Sequence, residues 1–354
     1  MNRTERLAAA AKALKERILI LDGSMGAYLQ GFGLTEADYR KGRFEDHPHA
    51  VKGNNDMLSL TRPDVITQVH DAYLKAGVDI IETNTFSATT ISQAEYGLQH
   101  IVHDLNVEGA RVARAAADKF EKADGKPRLV AGALGPTTKL LSMSPNVNDP
   151  AFRDCDFQTM AKAYREQTLG LIEGGSDILL IETITDTLNT KAALWGIWEA
   201  FDKTGEELPI WISATITDKS GRTLSGQTVE AFWNAIRHAK PWAVGLNCAL
   251  GPEDMRPFIA DLARVADCAV SAYPNAGLPN AMGAYDETPH TMEVHYAEWA
   301  KAGLVNILGG CCGTTPDHIG HLAHAVEGVK PRKIPSQERR LRLSGLEPFN
   351  AVAG

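Results

Sequence analysis

Cys248 in GLNC and the adjacent residues Cys311 and Cys312 in GGCCGTTPDH are the side chains of this chain best placed to do chemistry. Each motif follows a short apolar run, 242–246 or 304–308, that reads as a strand leading into a functional loop. One cysteine at one strand end and two at another can converge as three thiolates on a soft metal ion. Three protein ligands leave a tetrahedral Zn2+ one open position, the mark of a catalytic rather than a structural site. Gly309, Gly310 and Gly313 wrap the pair and let the backbone turn tightly, so that both side chains can face one point. Thr315 as N-cap and Pro316 in the first turn predict a helix whose positive end favours thiolates nearby. Two other readings stay open but weaker. A vicinal disulfide is strained and disfavoured in a reducing compartment, and an iron–sulfur cluster ordinarily takes four spaced thiolates. Cys155 and Cys268 stand at no predicted strand end and read as small core hydrophobes.

Zinc held by three thiolates already carries excess negative charge, which makes it a poor source of hydroxide for hydrolysis. It suits a fourth thiolate brought by a substrate, which it would keep ionised and nucleophilic near neutral pH. The reaction this predicts is alkyl transfer to sulfur. Asp22 in LDGSMG, Glu82 and Asn84 in IETNTF, Glu182 in LLIET and Asn275 in AYPNAG fall at other predicted strand ends. A buried carboxylate there is either structural, satisfied by loop N–H groups, or the partner of a substrate ammonium. The glycine-containing turn that begins at Gly23 offers backbone N–H groups to a substrate carboxylate. An amino-acid thiol fits this set.

These residues need a frame that brings strand ends together. Apolar runs recur at 18–21, 78–81, 129–131, 178–181, 210–214, 242–246, 269–272 and 304–308, with helical periodicity between them. In TRPDVITQVHDAYLKAG, Val65, Ile66, Val69, Ala72, Tyr73 and Ala76 share one helical face, with Pro63 at the start and Gly77 at the stop. Eight such units predict a single α/β domain, a (β/α)₈ TIM barrel over 1–328, with a doubly wound open sheet as the rival. An amphipathic N-terminal helix precedes it. A basic, proline-containing tail or linker follows over 329–354, kept solvated by its charges. The long loops 26–61 and 132–156 are expected to build or cover the barrel mouth. A net charge of −8 gives no reason to expect nucleic acid or an anionic membrane surface, and no apolar run is long enough to span a bilayer. Five cysteines, an odd count with no export signal, argue for metal or catalysis over a disulfide framework and for a cytoplasmic location.

GLNC and GGCCGTTPDHI, preceded by LDGSMG and IETNTF, resemble the homocysteine S-methyltransferase family. Three longer stretches, LVAGALGPTTKLLSMSPNVNDPAFRD, ISATITDKSGRTLSGQTVEAFWNAI and SAYPNAGLPNAMGAYDETP, are similar to the homocysteine-binding module of cobalamin-dependent methionine synthase. The resemblance covers roughly 15–328 and implies a (β/α)₈ barrel, zinc on Cys248, Cys311 and Cys312, and homocysteine as methyl acceptor. It carries recognition of the substrate amino group over to Asp22 and Glu182. Neither a second barrel nor a cobalamin-binding motif stands in the 354 residues, and the final RLRLSGLEPFNAVAG resembles a linker. The expectation is therefore methylcobalamin on a separate folate- and cobalamin-binding methionine synthase subunit, with this chain either half of a split enzyme or an excised fragment. Two alternatives stand beside it: a cobalamin-independent enzyme using S-methylmethionine, S-adenosylmethionine or betaine, and a non-catalytic zinc-holding module.

Overall fold

The computed structural model describes residues 1–279 and 285–352; within SAYPNAGLPNAMGAYDETP, positions 280–284 lie outside the described residues. Among the described residues eight parallel strands form one sheet. They are β1 (Leu19–Ile20), β2 (Ile80–Glu82), β3 (Leu129–Leu134), β4 (Ile178–Ile184), β5 (Ile210–Ala214), β6 (Ala243–Asn247), β7 (Ala269–Tyr273) and β8 (Ile307–Leu308). Each pairs with the next, β8 pairs with β1, and a parallel bridge from Leu21 to Ile80 closes the ring. The (β/α)₈ barrel forms as the ladder predicts, and ring closure excludes the open sheet.

Alternation along the strands sorts side chains into two cores. Leu19, Ile80, Leu129, Leu180, Trp211 and Tyr273 point inward and fill the barrel. Ile20, Ile81, Val130, Leu179, Ile212 and Val244 point outward and pack under the helices. The predicted helix forms at Pro63–Lys75, with its proline in the opening turn, and a second of the same kind runs over Phe157–Glu173. The N-terminal helix Arg3–Glu16 seats Ala10 in the inner core, against the strand starts. Its buried Arg6 pairs with fully buried Asp177 at 2.9 Å, and Arg114 meets the same carboxylate at 2.8 Å, so Asp177 is not left an isolated buried charge. No described helix is long and apolar enough to cross a membrane.

The stretch after 328 is more ordered than a solvated tail. Arg332 is buried, its guanidinium donating to the carbonyls of Ala263, Ala266 and Cys268 at the end of the helix Pro252–Val265 and just beyond it. Its N–H donates to the Val305 carbonyl, and its own carbonyl accepts from Asn306. Further on, β9 (Arg342–Ser344) and β10 (Pro348–Asn350) make an antiparallel hairpin on the helix Val229–Ile236, held by Ser344 Oγ to the Ala231 carbonyl and by Asn234 to the Leu343 carbonyl. Arg332→Met strips donors from several buried carbonyls at once, an expected loss of about 2–4 kcal/mol. Urea unfolding measures it; an unchanged midpoint would mean that water replaces the guanidinium without cost.

Candidate active site

Asp22 directly follows the bridge that closes the barrel, and its carboxylate accepts the Glu82 N–H at 3.0 Å. Glu82 ends β2 and Glu182 lies near the end of β4, so three carboxyl groups meet over the inner core. Burial, then the neighbouring Glu82 charge, push Asp22 and Glu182 well above the usual carboxylate range. Burial raises Glu82 itself to about 7.

Cys248 follows β6, and Cys311 and Cys312 follow β8. Their three sulfurs lie within 4.8 Å of one another, with Cys248 and Cys312 at 3.7 Å. Zinc–sulfur bonds of about 2.3 Å in a tetrahedron set sulfurs about 3.8 Å apart, so the trio is spaced to hold such a metal. Without a cation the thiols cannot ionise together. Hydrogen bonds from Cys248 and Cys311 push Cys312 down to about 3, while the bonds to Cys248 and Cys312, with burial, hold Cys311 well above its ordinary value. Two glycines make the turn possible. A Cβ on Gly310 would sit 2.4 Å from Thr314 Oγ1, and Gly313 has φ +80° with Tyr285 packed against it. Thr314 then donates to the Cys311 carbonyl at 2.6 Å and accepts the Ser24 N–H at 3.2 Å, tying this turn to the one after β1. The helix Pro316–Ala325 starts at Thr315 as predicted.

Carboxyl groups and sulfurs share one cavity of about 280 Å³. Asp22, Gly23, Glu82, Asn84 and Glu182 line it together with the three cysteines. Asn84 also braces the loop after β1, donating to the Asn55 carbonyl at 2.7 Å and to Ser59 at 3.3 Å. Asn275 stands behind the cavity wall, where its Oδ1 accepts the Cys312 N–H at 3.1 Å. Cys155 and Cys268 pack into the outer core, away from the trio. Of the two long loops, 26–61 supplies Gly26, Gly53, Asn55 and Asp56 to the wall. The other begins later than expected, because β3 runs to Leu134. It reaches the rim instead, where Leu141 and Ser142 donate to Asn189 and Asp186.

Three wall or backing residues, Asp56, Tyr285 and Asn247, escape the sequence reading as site residues; Thr183 is expected beside Glu182 at the strand end, but without its strained conformation. Asp56 is buried in the cavity wall, accepts the Ser87 N–H at 2.9 Å and is pushed up to about 6 by burial. Tyr285 bonds the Cys312 sulfur and, chiefly through burial, is raised to about 12. Thr183 holds φ +54°, a left-handed conformation that costs a β-branched residue about 1–3 kcal/mol. It sits in a β-bulge: Ile181 pairs with Ile212 but Ile184 with Ala214, one residue too many on β4. Asn247, an inward-facing polar residue at the end of β6, bonds Thr183 from two strands away in the ring. Its signal was present in GLNC, since a buried amide at a barrel-core position demands partners.

The comparisons agree with this architecture. The homocysteine methyltransferase MmuM of Escherichia coli, in its metallated form, is 22% identical with a TM-score of 0.68, covering 89% of this chain and 98% of its own. The oxidized form gives 22% and 0.70 over 92% and 99%, and the apo form 21% and 0.62 over 90% and 99%. At that identity the likeness carries the fold. A family model described as homocysteine S-methyltransferase matches residues 19–326, from β1 to the end of the last barrel helix, with the cysteine turns and the carboxyl cluster inside the match. The chain is a methyltransferase of the homocysteine S-methyltransferase family.

Proposed function

We propose that the chain methylates homocysteine to methionine with zinc held by Cys248, Cys311 and Cys312, taking the methyl group from methylcobalamin carried by a separate protein. The observation that carries the reading is the polarity of the cavity. Sulfurs stand at one part of its wall and Asp22, Asp56, Glu82 and Glu182 at others, with no Lys, Arg or His among the described lining residues. Such a wall calls for cationic occupants, a metal ion for the thiolates and an ammonium group for the carboxylates. Homocysteine carries both a thiol and an ammonium. When bound, zinc supplies an open position that keeps a substrate sulfur ionised and nucleophilic.

The chain's own residues do the rest. Asp22 and Glu182, with Glu82 between them, anchor the ammonium and so fix where the sulfur lies. Asn275 holds the Cys312 backbone, and Asn84 holds the loop that covers the substrate. The sulfur lone pair then forms the new S–CH3 bond, while the donor keeps the electron pair of the bond that breaks. Resemblance of three long stretches to the cobalamin-dependent module supports the donor assignment. So does scale: the cavity holds an amino acid but not a corrinoid macrocycle, which must approach over the rim. There Phe86, Met143, Val147, Phe152 and Leu188 are exposed apolar side chains that a docking protein could cover.

The test offers one donor at a time to purified zinc-loaded protein with homocysteine. Free methylcobalamin is expected to give slow methionine formation, and a methyl-corrinoid protein to accelerate it by holding the donor at the mouth. Robust turnover with S-methylmethionine, S-adenosylmethionine or betaine, and none with any methylcobalamin donor, would overturn the donor assignment. Zinc binding with no transfer from any donor would leave a zinc-holding module.

A further inference from the structure

The two ends of the cavity meet on one side chain outside its wall. Asn247 is fully buried. Its Oδ1 accepts the Thr183 N–H at 3.1 Å and the Ser213 hydroxyl at 2.7 Å. Its Nδ2 donates to the Thr183 hydroxyl at 2.8 Å and reaches the Cys311 sulfur at 4.0 Å. These contacts use both acceptor sites and both protons of the amide. A backbone N–H can only donate, so the oxygen must face Thr183, and that forces the NH2 toward the sulfur.

The contact with Thr183 matters for what precedes it. Along β4, Ile178 and Leu180 face the inner core and Leu179 and Ile181 the helices, so Glu182 faces inward by alternation. A regular strand would turn the next residue outward. The bulge instead places Glu182 and Thr183 consecutively on the cavity wall, with Ile184 back among the outer core residues. No glycine eases the left-handed turn at Thr183, and Asn247 grips that residue by both its N–H and its hydroxyl.

We propose that Asn247 is a positioning residue: by clamping the β4 bulge and donating to the Cys311 sulfur, it fixes the amine-binding carboxylate and the metal-binding thiolate relative to each other. This rests on the reading of Cys311 as a metal ligand and Glu182 as the ammonium partner. The two contacts are separable. Loss of the amide affects the sulfur directly, whereas the bulge can be restored by a residue that accepts a positive φ without strain.

Asn247→Ala and the double variant Asn247→Ala/Thr183→Gly test it, with Co2+ as the metal probe. Two quantities are read: cobalt affinity, with its thiolate-to-cobalt charge-transfer band, and the ratio of affinities for homocysteine and 4-sulfanylbutanoate, which lacks the amino group. Asn247→Ala is expected to weaken cobalt about 10- to 100-fold, to shift the band, and to cut the ratio by about tenfold. The glycine in the double variant recovers the ratio and leaves cobalt weak. Where the alanine variant fails to fold, the double variant carries the test through its cobalt affinity. Wild-type cobalt affinity and band in either variant would overturn the proposal, as would an unaltered ratio in Asn247→Ala. A wild-type protein that shows no thiolate-to-cobalt band would overturn the metal reading itself, and this inference with it.

Discussion

Cys311→Ala is expected to empty the protein of metal and abolish methyl transfer while the barrel stays folded. Wild type should carry about one zinc per chain, the number a single three-thiolate site can hold. Removing one of three charged ligands lowers affinity by orders of magnitude, enough to lose the ion on gel filtration against a chelator. The fold has other supports. The inner core of Leu19, Leu180 and Trp211 and the outer core of Ile66, Leu179 and Val244 close without any contribution from the metal. The melting temperature of Cys311→Ala should therefore stay within a few degrees of the metal-free wild type. Metal analysis, the methionine assay and thermal unfolding check the three parts separately. Full zinc content in Cys311→Ala would remove that residue from the ligand set. Global unfolding on chelation of the wild type would make the site structural, like that of a zinc finger.

The barrel and the cysteine trio were legible because both are written in local signals. Short apolar runs alternate with helical ones, and the glycines around Cys311 and Cys312 announce a turn whose purpose is to aim two adjacent side chains. Strand limits shifted by a few residues, as from 304–308 to Ile307–Leu308, because pairing between neighbouring strands and not hydropathy decides where a barrel strand begins. Non-local features stayed hidden. Thr183 carries no glycine to betray a positive φ; its conformation is imposed by Asn247, 64 residues away. Asp56 lies in a loop whose path depends on Asn84 and Ser87 holding it over the cavity. The hairpin of β9 and β10 could not be told from a loose tail. Each strand is three residues long, and their stability comes from the helix Val229–Ile236 beneath them.

Glu182→Gln and Asp22→Asn are expected to weaken homocysteine binding while leaving zinc in place. Each substitution keeps the shape of the side chain and removes the charge that would face the substrate ammonium. A charge-assisted bond of about 1.5–3 kcal/mol corresponds to roughly 10- to 150-fold in affinity. The comparison with 4-sulfanylbutanoate isolates this contribution, since that ligand shares the thiol and the carboxylate and lacks only the amino group. It should bind wild type weakly and be almost indifferent to either change. Acid should mimic the mutations. Burial raises all three carboxyls, so in the free protein they hold their protons to higher pH than ordinary carboxyls do, and Glu82, at about 7, takes its proton up as pH falls through neutrality. An ammonium bound against them favours their ionised forms, so homocysteine must expel those protons to bind. Its affinity therefore falls as pH drops below about 7, by up to tenfold per pH unit for each proton expelled. Both ligands release one thiol proton on binding and so share that pH dependence below their thiol pKa values, which leaves the change of their affinity ratio with pH to report the carboxyl groups. That ratio should shrink from pH 8 to pH 6 in wild type and change less in Glu182→Gln. If the variants lose 4-sulfanylbutanoate as badly as homocysteine, and the ratio is flat with pH, the carboxyl cluster serves the barrel and the ammonium lies elsewhere.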